Sequence, residues 1–221
     1  MARGRAAGYD EQRDQILARA AALFALRGYP GTSMNQVAEA CGLSKATLYH
    51  YYRDKYALLV SIAEGHVGKL RALVDAVAAL GLPPEPRLRL LIQRIVDEYA
   101  GARDAHRVLT EDVRFLDSAD RDRILGHERA VVAGFARAVA DLRPELAQAA
   151  LATPMTMLLF GMVNWMFTWL RPDGPVGHSA LAPMVADLFM GGLPAVRPPA
   201  SAVPAVAAST ATPSRTRRQR S

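Results

Sequence analysis

Side chains between residues 32 and 55 have the types and spacing to hold a polyanion: Thr32, Ser44, Lys45, Ala46, Thr47, Tyr49, His50, Tyr51 and Lys55. At 100° per residue, a helix over 45–52 sets Ala46, Tyr49, His50 and Arg53 on one side, with Leu48 and Tyr52 opposite. One side packs and the other is presented. On the presented side a small alanine lets the backbone come near another molecule, and a phenol and an imidazole can hydrogen-bond. Lys45, Arg53 and Lys55 attract phosphate. These residue types contact DNA: hydroxyls and cations meet phosphate oxygens, and the front of the helix meets base edges. Lys45, Ala46, Tyr49 and His50 are the expected readers of base edges, and Thr32, Ser44, Tyr51 and Lys55 the expected phosphate contacts.

No catalytic constellation accompanies them. His50, His66, His106, His127 and His178 are never four residues apart, and the sequence contains no HExxH, GxSxG, GxGxxG or GxxxxGK[ST]. His127 and Glu128, with Glu111 and Asp112, are read as a solvated helix face, not a metal site. Cys41, the single cysteine, forms no internal disulfide and belongs to the packed side of its helix. The expectation is a non-enzyme with no cofactor and no metal.

The presented helix needs a scaffold, and the neighbouring residues supply one. Thr32 or Ser33 can cap a short helix over 34–41, Gly42 suits a tight turn at positive φ, and Ser44 can cap the next helix. Val37, Ala38, Cys41, Leu43 and Leu48 lie where two helices crossing over a short turn must touch, and Ala38 is small enough to permit that approach. A helix over 9–27 with Ile16, Leu17, Ala20, Leu23 and Phe24 on one face precedes this pair, ended by Gly28. Residues 2–8 read as a loose basic arm. The following helix is capped by Asp54 and runs through Leu58, Leu59, Ile62 and His66 to about residue 80, linking the first unit to the rest.

The run GYPGTSMNQVAEACGLSKATLYHYYRDKYALL, residues 28–59, together with the helix before it, resembles the DNA-binding domain of TetR-type transcriptional regulators. The resemblance covers roughly the first quarter of the chain. It implies a homodimeric, ligand-responsive repressor on a palindromic double-stranded DNA operator, with a small-molecule pocket in C-terminal helices. One departure is Tyr52, where the family often has phenylalanine, so a hydroxyl needs a partner.

The chain has 221 residues, 51% apolar, and a net charge of +6. Five arginines, Arg197, Arg215, Arg217, Arg218 and Arg220, are the only ionisable side chains beyond Gly191, which leaves +1 on the body. Residues 1–60 carry eight cations against five carboxylates, a net +3, so the anion-binding end is the N-terminal one. No apolar h-region opens the sequence, and the most apolar run, 155–170, is shorter than the roughly 20 residues of a membrane span. A cytoplasmic protein with no membrane partner is expected.

Beyond Gly81-Leu82-Pro83-Pro84 the pattern is helical throughout: 87–102, 105–116, 119–142, a segment from Pro144, 155–170 and 179–190. The expected fold is all-α, with a helix-turn-helix domain over 1–54, an effector-binding and dimerisation domain over 55–191 and a disordered basic tail over 192–221. The last two helices are the expected dimer contact.

In the apolar run, Trp165 and Trp169 stand one turn apart and Asn164 is a polar group in need of a partner. That run, followed by Arg171, resembles TetR-type regulators that answer to acyl-CoA thioesters. The resemblance implies a pocket of Arg114, Phe115, Leu116, Asn164, Trp165, Trp169 and Arg171, with Arg171 or Arg114 on the nucleotide phosphates. The competing classes are a DNA-compacting protein that uses the arginine tail and an α-helical enzyme.

Overall fold

The computed structural model describes residues 3–170 and 176–197; Arg171 and residues 198–221 of the tail lie outside the described residues. The described residues form ten α-helices and no strand. α1 (Arg3–Arg27), α2 (Met34–Ala40) and α3 (Lys45–Tyr51) make the N-terminal unit. α4 (Lys55–Ala79), α5 (Pro84–Gly101), α6 (Arg103–Glu111) and α7 (Ser118–Leu142) follow, with a 3-10 turn over Val113–Phe115 between the last two. α8 (Pro144–Gln148), α9 (Ala152–Trp169) and α10 (His178–Gly192) complete the bundle. No helix among the described residues is long and apolar enough to cross a membrane.

Local chemistry explains the boundaries. Ser33 caps α2 in a capping box, its Oγ accepting from the Gln36 N–H while Gln36 Oε1 accepts from the Ser33 N–H. Ser44 Oγ accepts from the Thr47 N–H at 3.0 Å, and Asp54 Oδ1 accepts from the Ala57 N–H at 2.7 Å. Gly42 has φ +66°, and the Leu43 N–H beyond it donates to the Ala38 carbonyl at 2.9 Å, which folds Leu43 back onto α2.

Two expected boundaries move. α1 begins at Arg3, so residues 3–8 are helix and not an arm, in keeping with the good helix propensity of arginine and alanine. At the other end Leu193 is buried and Val196 packs against the core, while Arg143 donates to the Leu193 carbonyl. The packed chain therefore extends past residue 192.

Burial divides the chain into two cores whose border falls within α4, not at residue 54. The first joins Ile16, Phe24, Val37, Leu48, Leu58 and Ile62 to Val108 and Leu109 of α6 and to Leu116 and Ile124. Farther along α4, Leu70, Val74 and Val77 belong to the second core with α5, α7, α9 and α10. α4 thus packs on α6 near its start and on α7 beyond, and α1 packs on α6. Where α4 crosses α7 the backbones are close: a Cβ on Gly134 would overlap Val74 Cγ1.

Candidate nucleic-acid interface

α3 presents what its sequence implies. Leu48 is fully buried and Tyr52 nearly so, while Ser44, Lys45, Ala46, Thr47, Tyr49 and His50 are exposed and Tyr51 is half-buried. Lys45 Nζ stands 5.9 Å from the centre of the Tyr49 ring. The Tyr52 hydroxyl accepts from Arg13 Nε at 3.1 Å, so the extra oxygen relative to phenylalanine is satisfied from α1. Burial pushes the Tyr52 phenol up and Arg13 opposes it, which keeps the hydroxyl neutral.

Residues 9 and 13 of α1, which sequence reasoning passed over, support the recognition helix. Tyr9 stacks on Tyr51 with ring centres 4.7 Å apart and meets His50 edge-on at 6.4 Å. The available signal was spacing: Tyr9, Arg13, Ile16 and Ala20 fall on one stripe of α1. Tyr9→Ala should cost about 0.5–1.5 kcal/mol of ring contact and let the His50 imidazole rotate. The expected result is several-fold weaker operator binding and a relaxed base preference. Parallel binding selections for variant and wild type check it; an unchanged consensus would leave Tyr9 without a role in readout.

Two expected phosphate contacts, Thr32 and Lys55, make hydrogen bonds inside the fold. Thr32 is buried, and its hydroxyl is spent on the Gly28 carbonyl at 3.0 Å and the Leu23 carbonyl at 3.3 Å. Lys55 Nζ donates to the Tyr29 carbonyl at 2.8 Å and the Thr32 carbonyl at 2.7 Å and sits 4.4 Å from the centre of the Tyr29 ring. These carbonyls follow the end of α1 and have no helical partner, so the ammonium clamps the loop between α1 and α2. Lys55→Ala should lower unfolding free energy by about 1.5–3 kcal/mol, the scale of hydrogen bonds from a charged donor. The slope of operator affinity against salt should stay the same if the ammonium remains on these carbonyls when DNA binds. Chemical denaturation and a salt titration read the two quantities separately.

The same loop is held from the C-terminal side. The Tyr29 N–H donates to the buried Asp112 carboxylate, whose pKa burial raises and that hydrogen bond lowers. The Tyr29 ring lies 5.4 Å from the centre of Phe115. The Tyr56 hydroxyl donates to Asp120 Oδ2 at 2.8 Å and accepts from the Asp117 N–H at 3.1 Å.

The expected effector set is not assembled. Half-buried Phe115 and buried Leu116 belong to the first core, and Arg114 is exposed with its guanidinium over the Phe115 ring. Asn164, Trp165 and Trp169 are exposed on α9, part of the second core, and Arg171 lies outside the described residues. Asn164 faces outward, so the idea that it needs an internal partner falls. Those tryptophans instead join an apolar face: Met157, Leu158, Trp165 and Trp169 on α9, with Met184 and Leu188 on α10, are all exposed.

The capped helix pair, its presented α3 and the bundle behind it agree with family comparisons at both ends. Residues 16–62 match the model for bacterial regulatory proteins of the tetR family, and residues 81–193 match the tetracyclin repressor-like C-terminal domain. The chain belongs to the TetR family. A solved TetR-family transcriptional regulator from Bordetella parapertussis 12822 is 36% identical with a TM-score of 0.77, covering 84% of this chain and 97% of that one. The transcriptional activator FasR of Mycolicibacterium smegmatis is 25% identical over 194 residues, 86% of this chain and 87% of its own. AibR, solved in complex with isovaleryl coenzyme A and operator DNA, is 26% identical with a TM-score of 0.68, covering 80% of this chain and 97% of that one. These TetR-family relatives are transcriptional regulators.

Proposed function

We propose that this TetR-family chain is a homodimeric, ligand-responsive repressor that leaves a palindromic operator when an acyl-CoA thioester binds. The observation that carries the DNA part is the exposed front of α3, from Lys45 to His50, on a helix whose other side is buried through Leu48 and Tyr52. Dimerisation rests on the apolar face of α9 and α10, which a second copy can cover by two-fold symmetry. Two α3 helices related that way meet half-sites about one helical turn apart. The thioester class is supported by AibR, a relative in complex with isovaleryl coenzyme A and operator DNA. Release requires only that the effector bind the DNA-incompetent arrangement more tightly; each tenfold loss of operator affinity corresponds to about 1.4 kcal/mol of coupling.

The test is fluorescence anisotropy on DNA from the chain's own promoter region and on scrambled DNA, with and without isovaleryl-CoA and octanoyl-CoA. Specific binding should exceed non-specific binding at least a thousandfold at moderate salt, and a thioester should abolish it. Equal affinity for both DNAs would favour a compacting role.

A further inference from the structure

A cleft of about 520 Å³ opens where α1 meets α4 and the junction of α5 with α6. Its volume lies in the range of small-molecule sites. The walls are kept low by small residues: Ala18 and Ala21 of α1, Gly65 of α4, and Gly101, Ala102 and Ala105 of the junction. A Cβ added at Gly65 or Gly101 would meet nothing within 4 Å, so no close packing demands a glycine there. Gly65 lies inside a 25-residue helix, where glycine costs about 1 kcal/mol relative to alanine. What the glycine secures is the opening.

Among the polar side chains that line this cleft, His66 is buried, at 3% exposed. Its Nε2 faces His106 Nδ1 at 3.2 Å, and its Nδ1 has no hydrogen-bond partner. A buried polar atom left unpaired is costly, so a ligand that supplies the partner gains the difference. The two histidines share one proton between facing nitrogens. When His106 Nδ1–H donates to His66 Nε2, His66 carries its own proton on Nδ1 and offers it as a donor. At the rim Lys69 and Arg103 are balanced by Asp14 and Asp104, so the cleft selects no sign of charge. An uncharged acceptor on an apolar body fits this chemistry, and a thioester carbonyl with its acyl chain is such a group.

We infer that the cleft binds the acyl end of a thioester, with its carbonyl accepting from His66 Nδ1–H and its chain lying along α1. This rests on the effector reading above and gives it a place at the seam between the two cores. α1 carries Tyr9 onto Tyr51 and His50, so a ligand seated between α1 and α4 acts on the support of the recognition helix.

Calorimetry with octanoyl-CoA and with S-octyl-CoA, the thioether that lacks the carbonyl, tests the assignment on the full chain. Wild type should bind the thioester at least tenfold more tightly than the thioether. His66→Phe should remove that preference. Gly65→Leu, which fills the cleft from α4, and Ala18→Met, which fills it from α1, should each weaken the thioester at least tenfold. Melting temperature controls for folding, and if one filling variant is unstable the other decides. Wild-type binding that survives both fillings overturns the cleft and leaves the effector reading standing. If wild type binds neither ligand, the thioester class and the cleft assignment fall together.

Discussion

Leu158→Glu and Leu188→Glu, made together, should turn the chain into a monomer and lower operator affinity at least a hundredfold. The two leucines are 63% and 70% exposed on α9 and α10, so within one chain they contribute little to folding. Across a two-fold axis each is present twice, and burying a leucine is worth about 1.5–3 kcal/mol. Replacing them loses that gain and places four carboxylates in an apolar contact, which costs more still. A dimer binds its second half-site at an effective concentration set by the linkage, an advantage on the order of a hundredfold to ten-thousandfold that a monomer forfeits. Sedimentation velocity should show half the mass, with an unchanged far-ultraviolet spectrum. Anisotropy should show the loss on the full operator but almost none on an isolated half-site. A variant that remains dimeric would show that the face serves another partner.

Acid should destabilise the fold through one buried pair. Burial, with a smaller contribution from Lys69, pushes the His66 pKa down to about 4, and burial together with His66 pushes His106 down to about 3. Tyr99, 3.8 Å from the His106 ring centre and itself raised by burial, adds no charge, and Glu128 nearby is also raised by burial. Both histidines are therefore neutral in the fold at pH 5, whereas in the unfolded chain they titrate near 6.5. Between about pH 6.5 and 4 the unfolded state binds more protons, so stability rises with pH across that window and is lost as pH falls. The loss from pH 7 to pH 5 is on the order of 2 kcal/mol per histidine. Denaturation at the two pH values should show a drop about 2 kcal/mol smaller in His66→Phe than in wild type. Equal drops would mean that water already reaches the pair.

The N-terminal unit was legible because its signals are local. Ser33, Gly42, Ser44 and Asp54 each act within three or four residues of chain, and their backbone roles follow from residue type alone. Lys55 shows the limit. A cation beside a DNA-binding motif suggests phosphate, and only the fold brings it to the carbonyls of Tyr29 and Thr32, 26 and 23 residues away. Trp165 and Trp169 fail differently: their spacing shows that they share a face, but an apolar face turned inward and one turned outward have the same pattern. The cleft beside His66 had no signature, because Ala18, Gly65 and Ala105 come from three helices and matter by being small.

The near-contact of Gly134 with Val74 would act as a fulcrum if α4 tilts. Nineteen residues separate Val74 from Lys55, so at 1.5 Å per residue the arm from that crossing to the start of α4 is roughly 28 Å. Each degree of tilt about the crossing then swings that end by about 0.5 Å. Gly65 stands roughly 13 Å from the same point, so a 1 Å displacement at the cleft becomes about 2 Å at the DNA-facing end. In the proposed dimer, a ligand that parts α1 from α4 by little more than a carbon radius would shift two reading heads relative to each other.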